Sequence, residues 1–303
     1  MSWRFCEGMQ VLVRGPEMLL EARAQARAIP AFTSYTLEST RAVVEAAACL
    51  RSPVIVQAGS GSFRGSSREM LAAAVLAAAR AADAAVGVHL DHATQLPEVR
   101  ACIELGYSSV MIDGSRLDFE SNVALSSRVV AESHAAGVWV EAELGAIAGD
   151  EDVSASTGRG ELTAPWRAEE FVERTGVDAL AVAIGTVHGI PDRPVVLDLG
   201  LLEQIRALVP VPLVIHGASG VDTEQLLAAV ALGVAKVNYN AELRRAYIGA
   251  LRTALIQDSD DVVAVQLAAV AAMAAVARDK LLLLGGGHVD VSSNHHRDQK
   301  GPS

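Results

Sequence analysis

Short apolar runs alternate with longer amphipathic or Ala-rich ones along most of this chain. The short runs read as buried strands and the longer ones as helices. A helix over Leu19–Arg27 precedes a strand at Ile29–Phe32. A helix at Ser39–Leu50 leads to a strand at Pro53–Gln57, and Glu69–Ala82 leads to Ala85–Leu90. Helix Leu96–Leu105, closed by Gly106, precedes strand Ser109–Ile112. Helix Glu120–Ala136 ends at Gly137 before strand Val138–Glu143. Ala168–Thr175, Gly200–Leu208 and Thr223–Leu232 are the next helices, and Asp178–Ile184, Val211–Ile215 and Ala235–Asn238 the last strands. Gly106, Gly176 and Gly233 each follow a helix, where glycine tolerates the left-handed conformation of a C-cap.

Eight such units over roughly 250 residues predict an α/β protein of the (β/α)8 TIM-barrel class. A doubly wound sheet also alternates, but no glycine-rich dinucleotide fingerprint favours it. One barrel is expected over residues 1–285, with residues 286–303 a flexible polar tail that includes His288, His295 and His296. Ala146–Ala164 has no apolar period, and a loop of that length predicts a lid or disorder.

Composition narrows the partners. The 303 residues carry a formal charge of −11, which disfavours nucleic acid and anionic membrane. No stretch is long and apolar enough to span a bilayer, and no apolar signal core is visible at the start. Cys6, Cys49 and Cys102 are too few and too scattered for a disulfide framework. The chain is expected to be soluble and cytoplasmic.

The chemistry gathers where strands give way to small residues. His92, His188 and His216 each end an apolar run. If those strands are parallel neighbours, the imidazoles converge on one rim. Three His leave a tetrahedral metal one open position, the arrangement of a catalytic rather than a structural zinc. Asp91 puts a carboxylate beside that position. Asp113, Glu141, Glu143 and Asn238 also fall at strand ends. Glu141 and Glu143 share one face of their strand by the period of two, so one of them could bind a second cation or orient a ligand. Gly217-Ala218-Ser219-Gly220 and Asn238 follow strands seven and eight, where barrels commonly bind phosphate. The bland alternative makes each of these a polar cap, and His89, within a strand, and His134, on a helix, are read that way.

In order along the chain, His89-Leu90-Asp91-His92, Met111-Ile112-Asp113-Gly114-Ser115, Val140-Glu141-Ala142-Glu143-Leu144-Gly145, Gly185-Thr186-Val187-His188-Gly189, His216-Gly217-Ala218-Ser219-Gly220 and Lys236-Val237-Asn238 resemble the class II, zinc-dependent fructose- and tagatose-bisphosphate aldolases. The resemblance implies Zn2+ on His92, His188 and His216, with Asp113 and Glu143 able to carry a second metal or a monovalent cation. It implies that the metal stabilises the enediolate of dihydroxyacetone phosphate. Asp91 would exchange a proton with the aldehyde oxygen, Glu151 in the lid would take the carbon proton, and Asn238 would hold the enediolate. Gly189, Gly217, Ala218 and Ser219 would bind the donor phosphate of a small sugar phosphate. A homodimer or homotetramer is also implied.

The chain departs from that pattern in four places. The hydroxyl expected after the second strand falls at Gly59, with Ser60 next to it as a substitute. Thr33 stands where an Asn is usual. Tyr239-Asn240-Ala241 lacks the expected phosphate-capping Thr and brings in a bulky Tyr. Asp258-Ser259-Asp260-Asp261 lacks the Arg that reaches a second phosphate, and its acidity is expected to repel one, so the acceptor aldehyde is expected to differ from glyceraldehyde 3-phosphate and to be unphosphorylated or cationic. Two further readings compete: a zinc hydrolase on the same fold, and a sugar-phosphate-binding subunit without turnover.

Overall fold

The structure, a computed structural model, describes residues 12–147, 160–189, 194–257 and 260–285. Eight parallel strands close into a barrel in chain order. They are β1 Ile29–Thr33, β2 Val54–Gly59, β3 Val86–Ala93, β4 Ser109–Ile112, β5 Trp139–Leu144, β6 Ala179–Val182, β7 Leu213–Ile215 and β8 Val234–Tyr239. The helices are α1 Glu17–Ala24, α2 Leu37–Leu50, α3 Ser60–Gly65, α4 Arg68–Ala81, α5 Leu96–Leu105, α6 Phe119–Ala135, α7 Pro165–Thr175, α8 Leu199–Leu208, α9 Thr223–Ala231, α10 Ala241–Ile256 and α11 Val262–Leu284.

The barrel is therefore the fold the sequence predicts, and every expected strand is present, although β6 and β7 are shorter than expected. Three helices, α3, α10 and α11, escape the sequence reading. The short α3 holds a single apolar residue, Phe63, among Ser, Gly and Arg, too few for an apolar period. The long α11 is nearly continuous Ala, Val and Leu, so it lacks the polar stripe that marks an amphipathic helix. It packs against α2 and α10 and closes the outer layer beside β1. None of the described helices is long and apolar enough to cross a membrane.

Two cores follow from the alternation of side chains along each strand. The larger lies between the strands and the helical layer, with Val54, Val56, Leu90, Val110 and Val140 facing outward onto residues such as Val43, Leu71 and Val129. The smaller lies inside the barrel, where Ile29, Ile55, Trp139 and Val214 meet Met18, Leu19 and Ala22 of α1. Since Ile29 and Trp139 begin their strands, α1 plugs the amino end, and the polar inward positions collect toward the carboxyl end.

The loop expected to act as a lid leaves β5 at Ala146 and returns at Glu161, and these two residues pair in an antiparallel bridge. Glu151 and the tail from residue 286 lie outside the described residues.

Candidate active site

β3 is irregular where the chemistry begins. Adjacent strand residues face opposite sides, so Asp91 inward would send His92 out into the helical layer. Instead the register slips between Leu90 and Ala93, and His92 takes a φ of 48°. A left-handed non-glycine residue is uncommon outside turns and functional sites. Here it turns His92 back toward the barrel axis beside Asp91.

His188 after β6 and His216 after β7 complete the cluster. The ring centroids of His92 lie 4.6 Å from His216 and 5.1 Å from His188, and those of His188 and His216 lie 6.3 Å apart. One ligand-capable nitrogen from each falls within 4.8 Å of the other two. The three imidazoles thus converge as the sequence predicts.

The outer ring nitrogens of His92 and His216 each have a carboxylate partner. His92 Nδ1 lies 2.9 Å from Asp113 Oδ2, and His216 Nε2 lies 2.7 Å from Glu141 Oε1. An N–H donated to each carboxylate leaves the lone pairs on His92 Nε2 and His216 Nδ1, which face one another at 2.8 Å. Two imidazole acceptors aimed at one point suit a cation between them, and carboxylate-bonded histidines are the usual support of such ligands. The donor set fits zinc, with three nitrogens and room for a further ligand.

A second group joins it. His92, Asp113 and Glu143 also offer ligand atoms within 4.8 Å of one another, in line with the second-cation expectation. Of the glutamate pair on β5, Glu143 faces this group and Glu141 orients His216.

The electrostatics are those of a carboxylate-rich cavity. Burial alone would lower the His92 pKa, but Asp91, Asp113 and Glu143 together raise it well above the ordinary histidine value. His188 is lowered by burial and by the two neighbouring imidazoles. Burial opposes ionisation of Asp113, yet its bonds from His92 and Ser115 hold it well below the usual carboxylate range. Burial, reinforced by Asp113, pushes Glu143 up to about 8.

Asp91 is buried and held from two sides. Gln57 Nε2 donates to its Oδ2 at 2.8 Å, and Asn238 Nδ2 approaches Oδ1 at 3.3 Å. Gln57 was not singled out from the sequence, although a polar residue ending the apolar run of β2 was a signal. Asn238 also stands 3.3 Å from His216 Nε2, so it touches both the acid/base candidate and the ligand set.

Beneath the imidazoles lies a buried charge network. Lys236 Nζ pairs with Glu141 Oε2 at 2.8 Å, and both side chains are fully enclosed. Burial is outweighed by Lys236 and His216, so Glu141 is held well below the usual carboxylate range. His89 Nδ1 bonds Ser109 Oγ at 2.8 Å, and burial and Lys236 lower its pKa well below normal. His89 is thus a neutral structural histidine, as expected, and His134 pairs with Asp178 on the outer surface. Lys236 was missed as a candidate. Its signal was the shared inward face with Asn238 two residues on.

A cavity of about 300 Å3 opens above these groups, lined by Asp91, His92, Asp113, Glu143 and His188 on its floor. Gly217, Ala218 and Ser219 do not line it. Gly217 has a φ of 63°, and a Cβ there would meet the Val187 carbonyl oxygen at 2.4 Å, so this turn packs directly on the one that carries His188. Gly189 also takes a positive φ, 88°.

The departures read from the sequence resolve as follows. Tyr239 has not entered the site: it is fully buried, stacks on Phe32 at 5.7 Å and lies under Lys280. Asn240, the next residue, lines the cavity instead, as does Thr33. Ser60 also lines it, but its hydroxyl is donated to the Glu98 carboxylate at 2.9 and 3.0 Å, so it is a poor substitute for the expected hydroxyl. Asp258 and Ser259 lie outside the described residues. Asp261 caps α11 through the Ala264 N–H, and neither it nor Asp260 lines the cavity.

Gly59 is glycine for a steric reason. A Cβ there would sit 2.4 Å from the Asp91 carbonyl oxygen. Gly59→Ser is therefore expected to cost about 1–3 kcal/mol by overpacking and to lower activity by displacing Asp91. Denaturant unfolding and steady-state rates check this; a Ser variant of wild-type stability and higher kcat would refute it.

A closed (β/α)8 barrel with three converging imidazoles and a held carboxylate at its carboxyl end has the layout of a barrel enzyme. The comparisons make this specific. Residues 13–287 match the family model described as fructose-bisphosphate aldolase class-II, and the chain belongs to that family. It is similar to the YdjI aldolase from Escherichia coli K12, at 31% identity over 90% of this chain and 97% of that one, with a TM-score of 0.80. A Coccidioides immitis protein assigned as a fructose-1,6-biphosphate aldolase is 32% identical over 90% and 96% of the two chains, with a TM-score of 0.83. A fructose-bisphosphate aldolase from Campylobacter jejuni, at 24% identity over 90% and 95% with a TM-score of 0.78, shows the shared fold.

Proposed function

We propose that this aldolase-family chain is a zinc-dependent aldehyde-lyase that cleaves and forms a carbon–carbon bond, with dihydroxyacetone phosphate as the donor. The observation that carries the reading is the convergence of His92, His188 and His216 beside Asp91, itself held by Gln57 and Asn238. A zinc ion held by the three imidazoles would act as a Lewis acid toward the donor carbonyl.

The chain's own groups do the remaining work. In condensation, Glu151 removes a proton from the donor carbon next to the carbonyl. The carbon left with the electron pair bonds to the aldehyde carbon of the acceptor. Asp91 gives a proton to the aldehyde oxygen as that bond forms, and takes it back in cleavage. Asn238 holds the donor oxygens through its amide. By the family resemblance alone, the backbone N–H groups of Gly189, Gly217, Ala218 and Ser219, which lie beside the residues lining the cavity rather than among them, receive the donor phosphate. Glu151 enters by the family resemblance alone. The same resemblance supports a homodimer or homotetramer, and the few, scattered cysteines support a reducing, cytoplasmic location.

The test avoids the acceptor. Zinc-loaded protein is incubated with dihydroxyacetone phosphate in deuterated water, with and without chelator, and loss of the exchangeable proton signal is followed by NMR. Exchange that stops on chelation supports the reading. A folded, zinc-loaded protein that exchanges nothing overturns the donor assignment.

A further inference from the structure

Arg116 is the one Lys or Arg side chain among the described residues that line the cavity over the metal-type cluster. It is exposed, and no carboxylate among the described residues pairs with it. Arg41, Arg100 and Arg174, which lie away from the cavity, are by contrast each bonded to a Glu within 3 Å. A guanidinium left without a carboxylate beside a cavity rich in them is positioned for a ligand rather than for the fold.

Its backbone is tied down on both sides. Asp113, bonded to His92, accepts from Ser115 N and Oγ at 3.0 and 2.6 Å. The Leu117 N–H closes a turn onto the Gly114 carbonyl at 2.9 Å. Asp118 then caps α6 by accepting from Ser121 N. Arg116 therefore extends from a short turn that hangs directly from a metal-type histidine. A cation on a fixed backbone loses less freedom on binding than one on a loose loop.

We infer that Arg116 receives an anionic group, a carboxylate or a phosphate, at the far end of the acceptor aldehyde. This inference rests on the aldolase reading above and names its acceptor class. The floor of the cavity carries the Asp91 and Asp113 carboxylates, which would disfavour an anionic acceptor lying flat on it. An anion held at the rim by Arg116 keeps that charge away from the floor while the aldehyde reaches Asp91. A guanidinium suits carboxylate and phosphate alike through paired N–H donors. Ser115, the neighbouring lining residue, commits its hydroxyl to Asp113, which leaves the charge recognition to Arg116. The acceptor is thus anionic, in place of the unphosphorylated or cationic aldehyde that the acidic run 258–261 suggested.

The test compares zinc-loaded wild type, Arg116→Ala and Arg116→Lys. Condensation with dihydroxyacetone phosphate is measured against glyceraldehyde 3-phosphate, succinic semialdehyde and neutral glyceraldehyde. Loss of a charge-assisted pair is expected to raise KM for an anionic aldehyde by about tenfold or more in the Ala variant. The neutral aldehyde should shift by less than about twofold, and Lys should fall between. The anion that shows the effect tells phosphate from carboxylate. Equal loss on all three aldehydes, or no loss on either anion, overturns the inference. Donor exchange and titration with glycerol 3-phosphate and 4-hydroxybutyrate are run on the same proteins. If no variant exchanges the donor, the aldolase reading fails, and the titrations decide the anion site: weaker binding in Arg116→Ala sustains it, and equal binding removes it.

Discussion

His188→Ala is expected to abolish metal-dependent donor exchange and to weaken zinc binding by more than about a hundredfold, since loss of a mere supporting partner already costs about 10–100-fold. His188 lies on the turn after β6, away from the strand ladder, so the barrel should fold without it. Its ring nevertheless sits 5.1 Å from that of His92, and its removal leaves two imidazoles and a carboxylate-rich floor, a weaker zinc donor set. Zinc stoichiometry after dialysis, a competitive chelator titration and the exchange rate measure this together. His134→Ala is the control, because His134 bonds Asp178 on the outer surface and should leave zinc content unchanged. Wild-type zinc affinity in His188→Ala would falsify the assignment of this residue to the ligand set.

The second large effect lies below the site. Lys236→Met is expected to destabilise the fold by about 3–5 kcal/mol, the cost of stranding one member of a buried ion pair. Glu141 would keep its charge with only the imidazoles of His216 and His89 near it. Because Glu141 also sets the orientation of His216, zinc affinity should fall by about 10–100-fold as well. The double variant Glu141→Gln with Lys236→Met removes both charges and should recover at least half of the lost stability. Urea unfolding of the metal-free proteins measures the first effect, and chelator competition the second. A single-variant loss below about 1 kcal/mol, smaller than an unpaired buried charge allows, would mean that the Glu141 carboxylate finds another partner.

Several parts of the active site were legible because each rests on one local signal. His188 and His216 end apolar runs at turns, and the barrel's topology alone brings such ends to one rim. Asp113 and Glu143 were legible for the same reason. Gln57, Lys236 and Arg116 were not. Each is an ordinary polar residue in its own segment, and its meaning comes from a partner far along the chain: Asp91 for Gln57, Glu141 for Lys236, the cavity for Arg116. The Tyr239 expectation failed for a related reason. Strand position gives the facing of a side chain only once the register is known, and β8 turns Tyr239 outward onto Phe32.

The amino-acid sequence by itself determined the strand–helix alternation, the (β/α)8 architecture and the three histidines, because periodicity and strand-end position are local properties. The tertiary structure decided which neighbours each group has. The slip in β3 and the left-handed backbone at His92 put Asp91 and its adjacent residue on one face, against the alternation that a regular strand imposes. The pairing of Glu141 with Lys236 fixed one β5 glutamate as a support and left the other, Glu143, beside His92 and Asp113. Charge and hydrogen-bond pairing depend on distances between segments far apart in sequence, and only the closed barrel sets those distances.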